Sequence, residues 1–226
     1  MLNDNRIRVI TGSYGTGKTE FSVNYALKLA AAGNKTALVD LDVINLYFRS
    51  REKQEELEAA GVRVISSSIK GRGADLPAVS AEAAAPLQDT SWQVVLDVGG
   101  DAMGARALSR YRTYFQPGEY DMFFVVNANR PETATLAGVR EHLEAIQRVS
   151  QIPVTALVNN THLVKETTLE DVLRGQCLCR QLSEATGLPL RYTSLLESLV
   201  PQVASSEVLD GTLFPLSLIM REAWMS

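Results

Sequence analysis

The chain has 226 residues, of which 46% are hydrophobic and 21% charged, and its net charge is −4. That length and balance suit one well-buried core, and the acidic balance gives no general attraction to nucleic acid or anionic lipid, so nucleic acid is not expected as a partner. No apolar run reaches the roughly 18 residues of a membrane span, and the charged N-terminus runs directly into a strand, unlike a signal peptide.

The first predicted element is a short apolar strand carrying Ile7, Val9 and Ile10. It runs into Gly12-Ser13-Tyr14-Gly15-Thr16-Gly17-Lys18-Thr19, which matches the phosphate-loop pattern G-x-x-x-x-G-K-[ST] without a mismatch. The pattern has a mechanism. Glycines let the backbone curl so that successive N–H groups can point at phosphate oxygens, and the next helix adds its positive N-terminal end. Lys18 would reach the β- and γ-phosphates, and the Thr19 hydroxyl would hold Mg²⁺. Residues 19–32 have the spacing of an amphipathic helix, with Phe21, Tyr25, Leu27 and Leu29 on one side and Gly33-Asn34 as the stop.

Further along, 36–40 reads as a buried strand ending in Asp40-Leu41-Asp42, followed by Tyr47, Phe48 and Arg49. A short helix is predicted over 51–60, a strand over 62–66, a glycine-containing loop over 67–77 and a helix over 79–87. The run 92–98 is a continuous apolar strand, as in a parallel sheet covered on both faces, and it leads into Asp97-Val98-Gly99-Gly100-Asp101. A helix over 102–115, a strand over 120–127, a long helix opened by Pro131 through 149, a strand over 154–159 and a helix over 168–186 follow. A last strand is expected over 190–193, with helices over 197–205 and 216–224. The alternation of strands and helices predicts one α/β domain of three layers, with a mainly parallel sheet of about seven strands and right-handed crossovers.

In such sheets the site lies at the carboxyl ends of the strands. The loop at 12–19, Asp40, Asp42, Asp97, Gly100, Asn127 and Asn159 all collect there. A single strand-end Asp is ordinarily a turn former, but three beside a phosphate loop suit Mg-nucleotide chemistry, where one carboxylate orders the metal's water shell and another positions water.

These elements together resemble the ParA/MinD/nitrogenase-iron-protein class of P-loop ATPases: a strand–GxxxxGKT–helix unit, then VDLD, then LDVGG, then an asparagine-ended strand. The resemblance implies an Mg-ATP site. Asp40 would lie near the metal, Asp42 would orient or activate water, Asp97 would support Mg²⁺ with Thr19, and the N–H of Gly99 or Gly100 would sense the γ-phosphate. It also implies two switch segments, 42–52 and 97–106, through which a protein partner or a second copy would be engaged. Aromatic and Arg residues are enriched at binding hot spots, so Tyr47, Phe48 and Arg49 are candidates there; burial against the following helix is the alternative. The sequence departs from the class at Ser13, where many members carry a lysine that reaches across a dimer. Related kinases and ligases, such as dethiobiotin synthetase, lack that lysine too. An Asn at the 159 strand end contacts adenine in the resembled ATPases. Asn159-Asn160-Thr161-His162 has no carboxylate of the kind that reads guanine in N-K-x-D, which favours ATP over GTP.

Cys177 and Cys179 are too few and too close for a disulfide framework, and two positions apart on a helix they point in different directions, so both are expected to be buried structural thiols. Arg106 and Arg110 are expected on a solvated helix face. Lys70 and Arg72 lie in a loop that is either a lid or plain surface. Residues 216–225 have the apolar look of a membrane anchor without its basic face, so packing on the core is expected. The sequence therefore predicts a cytoplasmic Mg-ATP-binding switch protein, with a small-molecule kinase or ligase and a non-enzymatic nucleotide sensor as the alternatives.

Overall fold

The computed structural model describes residues 3–42, 53–66, 81–203 and 209–220. Eight strands form one sheet in the order β3-β2-β4-β1-β5-β6-β7-β8. They are β1 (Ile7–Thr11), β2 (Thr36–Asp40), β3 (Val62–Ser66), β4 (Gln93–Asp97), β5 (Tyr120–Val126), β6 (Ala156–Asn159), β7 (Leu190–Leu196) and β8 (Thr212–Leu216). Every pairing is parallel. The helices are α1 (Lys18–Ala31), α2 (Gln54–Ala59), α3 (Ala84–Gln88), α4 (Ala102–Ser109), α5 (Leu136–Ser150), α6 (Leu169–Thr186) and the single turn α7 (Val200–Val203).

The alternation of side chains along the strands builds two core layers. Ile7, Val9, Val94, Leu96, Met122, Phe124 and Val126 face α3 to α6. Ile10, Val95, Phe123 and Val125 face α1 and α2, where Phe21, Tyr25 and Leu29 pack. On that second face Phe21 lies 4.5 Å, centroid to centroid, from Phe214, and Tyr25 stacks on the same ring at 5.8 Å. Each such aromatic pair adds about 0.5–1.5 kcal/mol beyond area burial, so Phe214 pins β8 to α1.

β1 lies between β4 and β5. The chain builds one half of the sheet through β4 and then crosses to build the other from β5. A crevice therefore opens where β1 ends, which is where open α/β sheets place ligands.

The eighth strand corrects the sequence reading, which ended the sheet at β7 and began a helix at 216. Thr212–Leu216 pairs in register with β7. Pro215 is tolerated because β8 is an edge, where a missing N–H costs no ladder bond. Residues 217–220 are not helical; the amides of Ser217, Ile219 and Met220 are taken by side chains of α1. The predicted helix over 131–149 is likewise divided. A 3-10 turn, Pro131–Thr133, precedes α5, whose start is reset by Thr135, with its hydroxyl accepting from Gly138 N. The predicted 102–115 helix divides into α4 and a 3-10 turn at Arg112–Tyr114. α6 starts with a capping box between Thr168 and Asp171 and stops at Gly187 in the left-handed region, as its sequence signals require.

Candidate functional site

The loop 12–17 leaves β1 and enters α1 at Lys18. Gly17 stands at the helix N-cap with φ +78°, a conformation that disfavours any side chain, and a Cβ there would lie 2.5 Å from Asn160 Nδ2. The loop is held by its carbonyls. Arg130 Nε and Asn127 Nδ2 both donate to Gly15 O, at 2.9 and 3.3 Å. Asn160 Nδ2 donates to Thr16 O at 2.7 Å, and Thr16 Oγ1 donates to Ser13 O at 2.9 Å. With the carbonyls engaged from outside, the loop is braced around the first amides of α1, which have no intrahelical partner. Ser13 Oγ is buried and has no hydrogen-bond partner among the described residues.

The carboxylates lie on the other side of the loop. Asp40 and Asp97 are register partners on β2 and β4, and both are buried. Asp42 N donates to Asp40 Oδ1 at 3.0 Å, and Leu41 N to Asp97 O at 2.8 Å. Lys18 Nζ reaches Asp42 Oδ2 at 3.3 Å. Ser22 Oγ donates to Asp97 Oδ1 at 3.2 Å, while Asp97 Oδ2 is buried with no hydrogen-bond partner within bonding distance among the described residues. Burial pushes the Asp97 carboxyl well above the usual carboxylate range, against the pull of the Lys18 charge. Gly99 packs against the Asp42 carboxylate, and Gly100 lies so close to Gly12 O that a side chain there would collide with it.

This donor set suits a hard cation. No group of three or more His, Cys, Asp or Glu side chains converges closely enough to hold a metal by itself among the described residues. Mg²⁺ does not ask for such a cage, since it is ordinarily held by one or two carboxylates with water and phosphate oxygens. An unpartnered oxygen of Asp97 near the helix turn that carries Thr19 fits that pattern.

Beyond the loop lies a cavity of about 300 Å³. Its walls include Gly17, Lys18 and Thr19 on one side and Asn160, Thr161 and His162 on another, with Leu195, Leu216, Leu218 and Met220 as the apolar part. The apolar part hangs from α1. Glu20 Oε1 accepts from Ile219 N at 2.6 Å, and Asn24 exchanges two hydrogen bonds with the Ser217 backbone at 2.9 Å.

Asn159 does not face this cavity. It is fully buried, its Nδ2 donates to Val172 O at 2.9 Å, and its Oδ1 accepts from Thr161 N at 3.2 Å. Successive residues along an extended chain face opposite sides, and Asn160 lines the cavity. Asn160 Oδ1 accepts from Ser194 Oγ at 2.5 Å, and His162 Nδ1 accepts from Val164 N at 3.2 Å.

Sequence reasoning passed over Arg130, Asn160, Glu20 and Asn24 as site residues. Most of their contacts run to backbone groups, which leave no motif; the one available signal was their position at a strand end or in the first turns of α1. Cys179 is buried, and burial pushes its thiol up to about 12, whereas Cys177 is exposed, contrary to expectation. Tyr47, Phe48 and Arg49 of the first expected switch, and Lys70 and Arg72, lie outside the described residues. In the second, Arg106 and Arg110 are exposed. Among the described residues no helix is long and apolar enough to cross a membrane.

Comparison with known folds places this arrangement. The cell division protein FtsY from Thermotoga maritima superposes with a TM-score of 0.57 at 20% identity, over 87% of this chain and 64% of that one. The signal recognition particle receptor FtsY from Elizabethkingia anophelis gives 0.51 at 17%, over 85% and 59%. A nucleotide-binding protein in complex with ADP from Archaeoglobus fulgidus gives 0.50 at 14%, over 88% and 85%. At these identities the likeness is one of fold, and the chain spans about three fifths of the FtsY chains. A comparison with curated protein sequences gives no match. The family profile described as the CobQ/CobB/MinD/ParA nucleotide binding domain matches residues 7–174. On that match, the phosphate loop and the parallel sheet around it, the chain belongs to the CobQ/CobB/MinD/ParA family of P-loop nucleotide-binding domains.

Proposed function

We propose that the chain is a single nucleotide-binding domain that binds Mg-ATP on residues 12–19, hydrolyses it slowly, and uses the nucleotide state to switch its engagement of a protein partner. The observation that carries this reading is the buried Lys18–Asp42 pair beside the unpartnered oxygen of Asp97. The pair is placed to be exchanged: a γ-phosphate at the loop would draw Lys18 to itself and leave Asp42 to accept from an attacking water. Magnesium, held by Thr19 and Asp97 and partly through water from Asp40, would neutralise charge on the phosphates. The Gly100 N–H, close to Gly12, would report whether that phosphate is present. The base would enter the cavity beside Asn160, whose carbonyl and amide are already fixed by Ser194 and Thr16.

Calorimetric titration tests the binding. Wild type should bind Mg-ATP, and Lys18→Ala should lose at least about a hundredfold in affinity, because charged hydrogen bonds of this type are worth about 1.5–3 kcal/mol each. Unchanged affinity would remove the phosphate-loop assignment. Hydrogen exchange tests the switch. ATP relative to ADP should change protection at 42–52 and 97–106 and little elsewhere, since a ligand shifts an equilibrium only by its differential affinity for the two states. Identical profiles would turn the reading towards a small-molecule kinase.

A further inference from the structure

Among the described residues, two cationic side chains line the cavity, Lys18 and Arg130. Lys18 is occupied by Asp42. Arg130 has no carboxylate partner among the described residues, and its one side-chain hydrogen bond runs from Nε to Gly15 O. That bond fixes the guanidinium flat over Gly15: a Cβ on this glycine would stand 2.6 Å from Nε and 2.8 Å from Cζ. Both Nη groups are left without a partner among the described residues, at the edge of the cavity where the phosphate loop forms the wall.

A half-buried cation needs a reason to stay uncompensated. The planar fork of Arg matches phosphate oxygens two at a time, and a fork already immobilised by Nε loses little entropy on binding. We propose that Arg130 is a second phosphate ligand of the nucleotide, presenting its Nη groups to the polyphosphate from the loop after β5 while its Nε holds Gly15. This inference rests on the nucleotide site proposed above and adds a residue outside the phosphate-loop motif. It has a specific corollary. The residue at position 15 must be glycine for a reason beyond its own backbone, because a side chain there would displace the guanidinium.

The test is the affinity of wild type, Arg130→Gln, Arg130→Lys and Lys18→Ala for Mg-ATP over a range of sodium chloride concentrations. Gln can still donate one bond to Gly15 O but carries no charge and no fork. Arg130→Gln should weaken ATP binding by about tenfold or more at low salt, with a shallower dependence on salt, and Arg130→Lys should recover part of both. An Arg130→Gln affinity within twofold of wild type, or a loss with the wild-type salt slope, would overturn the inference and leave Arg130 as a brace for the loop. If Lys18→Ala abolishes binding while Arg130→Gln does not weaken it, the nucleotide site stands and this inference alone falls. If wild type binds no ATP, both fall.

Discussion

Lys18 Nζ sits 3.3 Å from Asp42 Oδ2 with both side chains buried, so the lysine of the loop already has an anion in hand. A nucleotide must compete with that anion. Removing one partner of a buried pair is ordinarily costly, up to about 3–5 kcal/mol, although Lys18 borders a cavity and the smaller end of that scale applies. Asp42→Ala is therefore expected to lower the melting temperature without ATP. It should also show a larger rise on adding ATP than wild type, because the phosphate would replace the missing carboxylate. Turnover should be lost. Thermal shift and phosphate release check the two arms, and hydrolysis at the wild-type rate would mean that another residue positions the water.

The choice of base should follow from the residues beside the cavity. Asn160, Thr161 and His162 offer amide, hydroxyl and imidazole groups. The His162 Nδ1 is already accepting from Val164 N, so this side chain cannot act as the bidentate carboxylate that guanine requires. ATP is expected to bind roughly ten- to a hundredfold more tightly than GTP, the worth of about 1–3 kcal/mol in paired hydrogen bonds. Equal affinities in a competition assay would remove this argument.

At the opposite end of the sheet, Asp4 gathers the hydroxyls of Tyr25 and Tyr192 and the guanidinium of Arg191. The fully buried Arg8 donates to Tyr25 Oη at 3.1 Å and to Gln93 Oε1 at 2.6 Å. Burial, then the bond to Asp4, pushes the Tyr192 hydroxyl from 10.0 up to about 12. A folded-state value above the unfolded one means that the stabilisation is complete below pH 10 and is lost as the pH rises through 12. The stability difference between wild type and Tyr192→Phe should stay constant to about pH 10 and narrow above it. Denaturant titrations at pH 8 and pH 11.5 decide this; a difference that does not narrow would refute the role of the hydroxyl.

Thiol chemistry gives a fourth expectation. Cys177 is exposed and Cys179 is buried on the same helix. An aromatic disulfide reagent should take up about one equivalent in the native protein and two after unfolding, since reactivity needs both exposure and thiolate. Two rapid equivalents without denaturant would contradict the placement of Cys179.

The strands up to β7 were readable because buried parallel strands are continuous apolar runs, and Trp92, Val94, Val95 and Leu96 could hardly be anything else; their order in the sheet was not. The phosphate loop was readable because its conformation is set locally, by glycine at positions such as Gly17. β8 was not readable. Its five residues include a proline, and the i, i+3, i+4 spacing of Leu216, Ile219 and Met220 imitates a helix until the partner strand is known. That Asn160 and not Asn159 lines the cavity was not readable either, since one residue along a strand means the opposite face. Arg130 was invisible for a different reason: it recognises a carbonyl, and carbonyls carry no sequence.

Glu20 and Asn24 grip residues 217–220 through the amides of Ser217, Ile219 and Met220 and the carbonyl of Ser217. They belong to the first two turns of the helix that leaves the phosphate loop. This sets an unusual rule for which substitutions the cavity floor can absorb. At Ser217 the grip ignores the side chain, so drift among most residue types should pass unnoticed. Proline is the exception, because it has no N–H to give Asn24. Natural variation at this position should therefore be broad in chemistry and empty of that one residue.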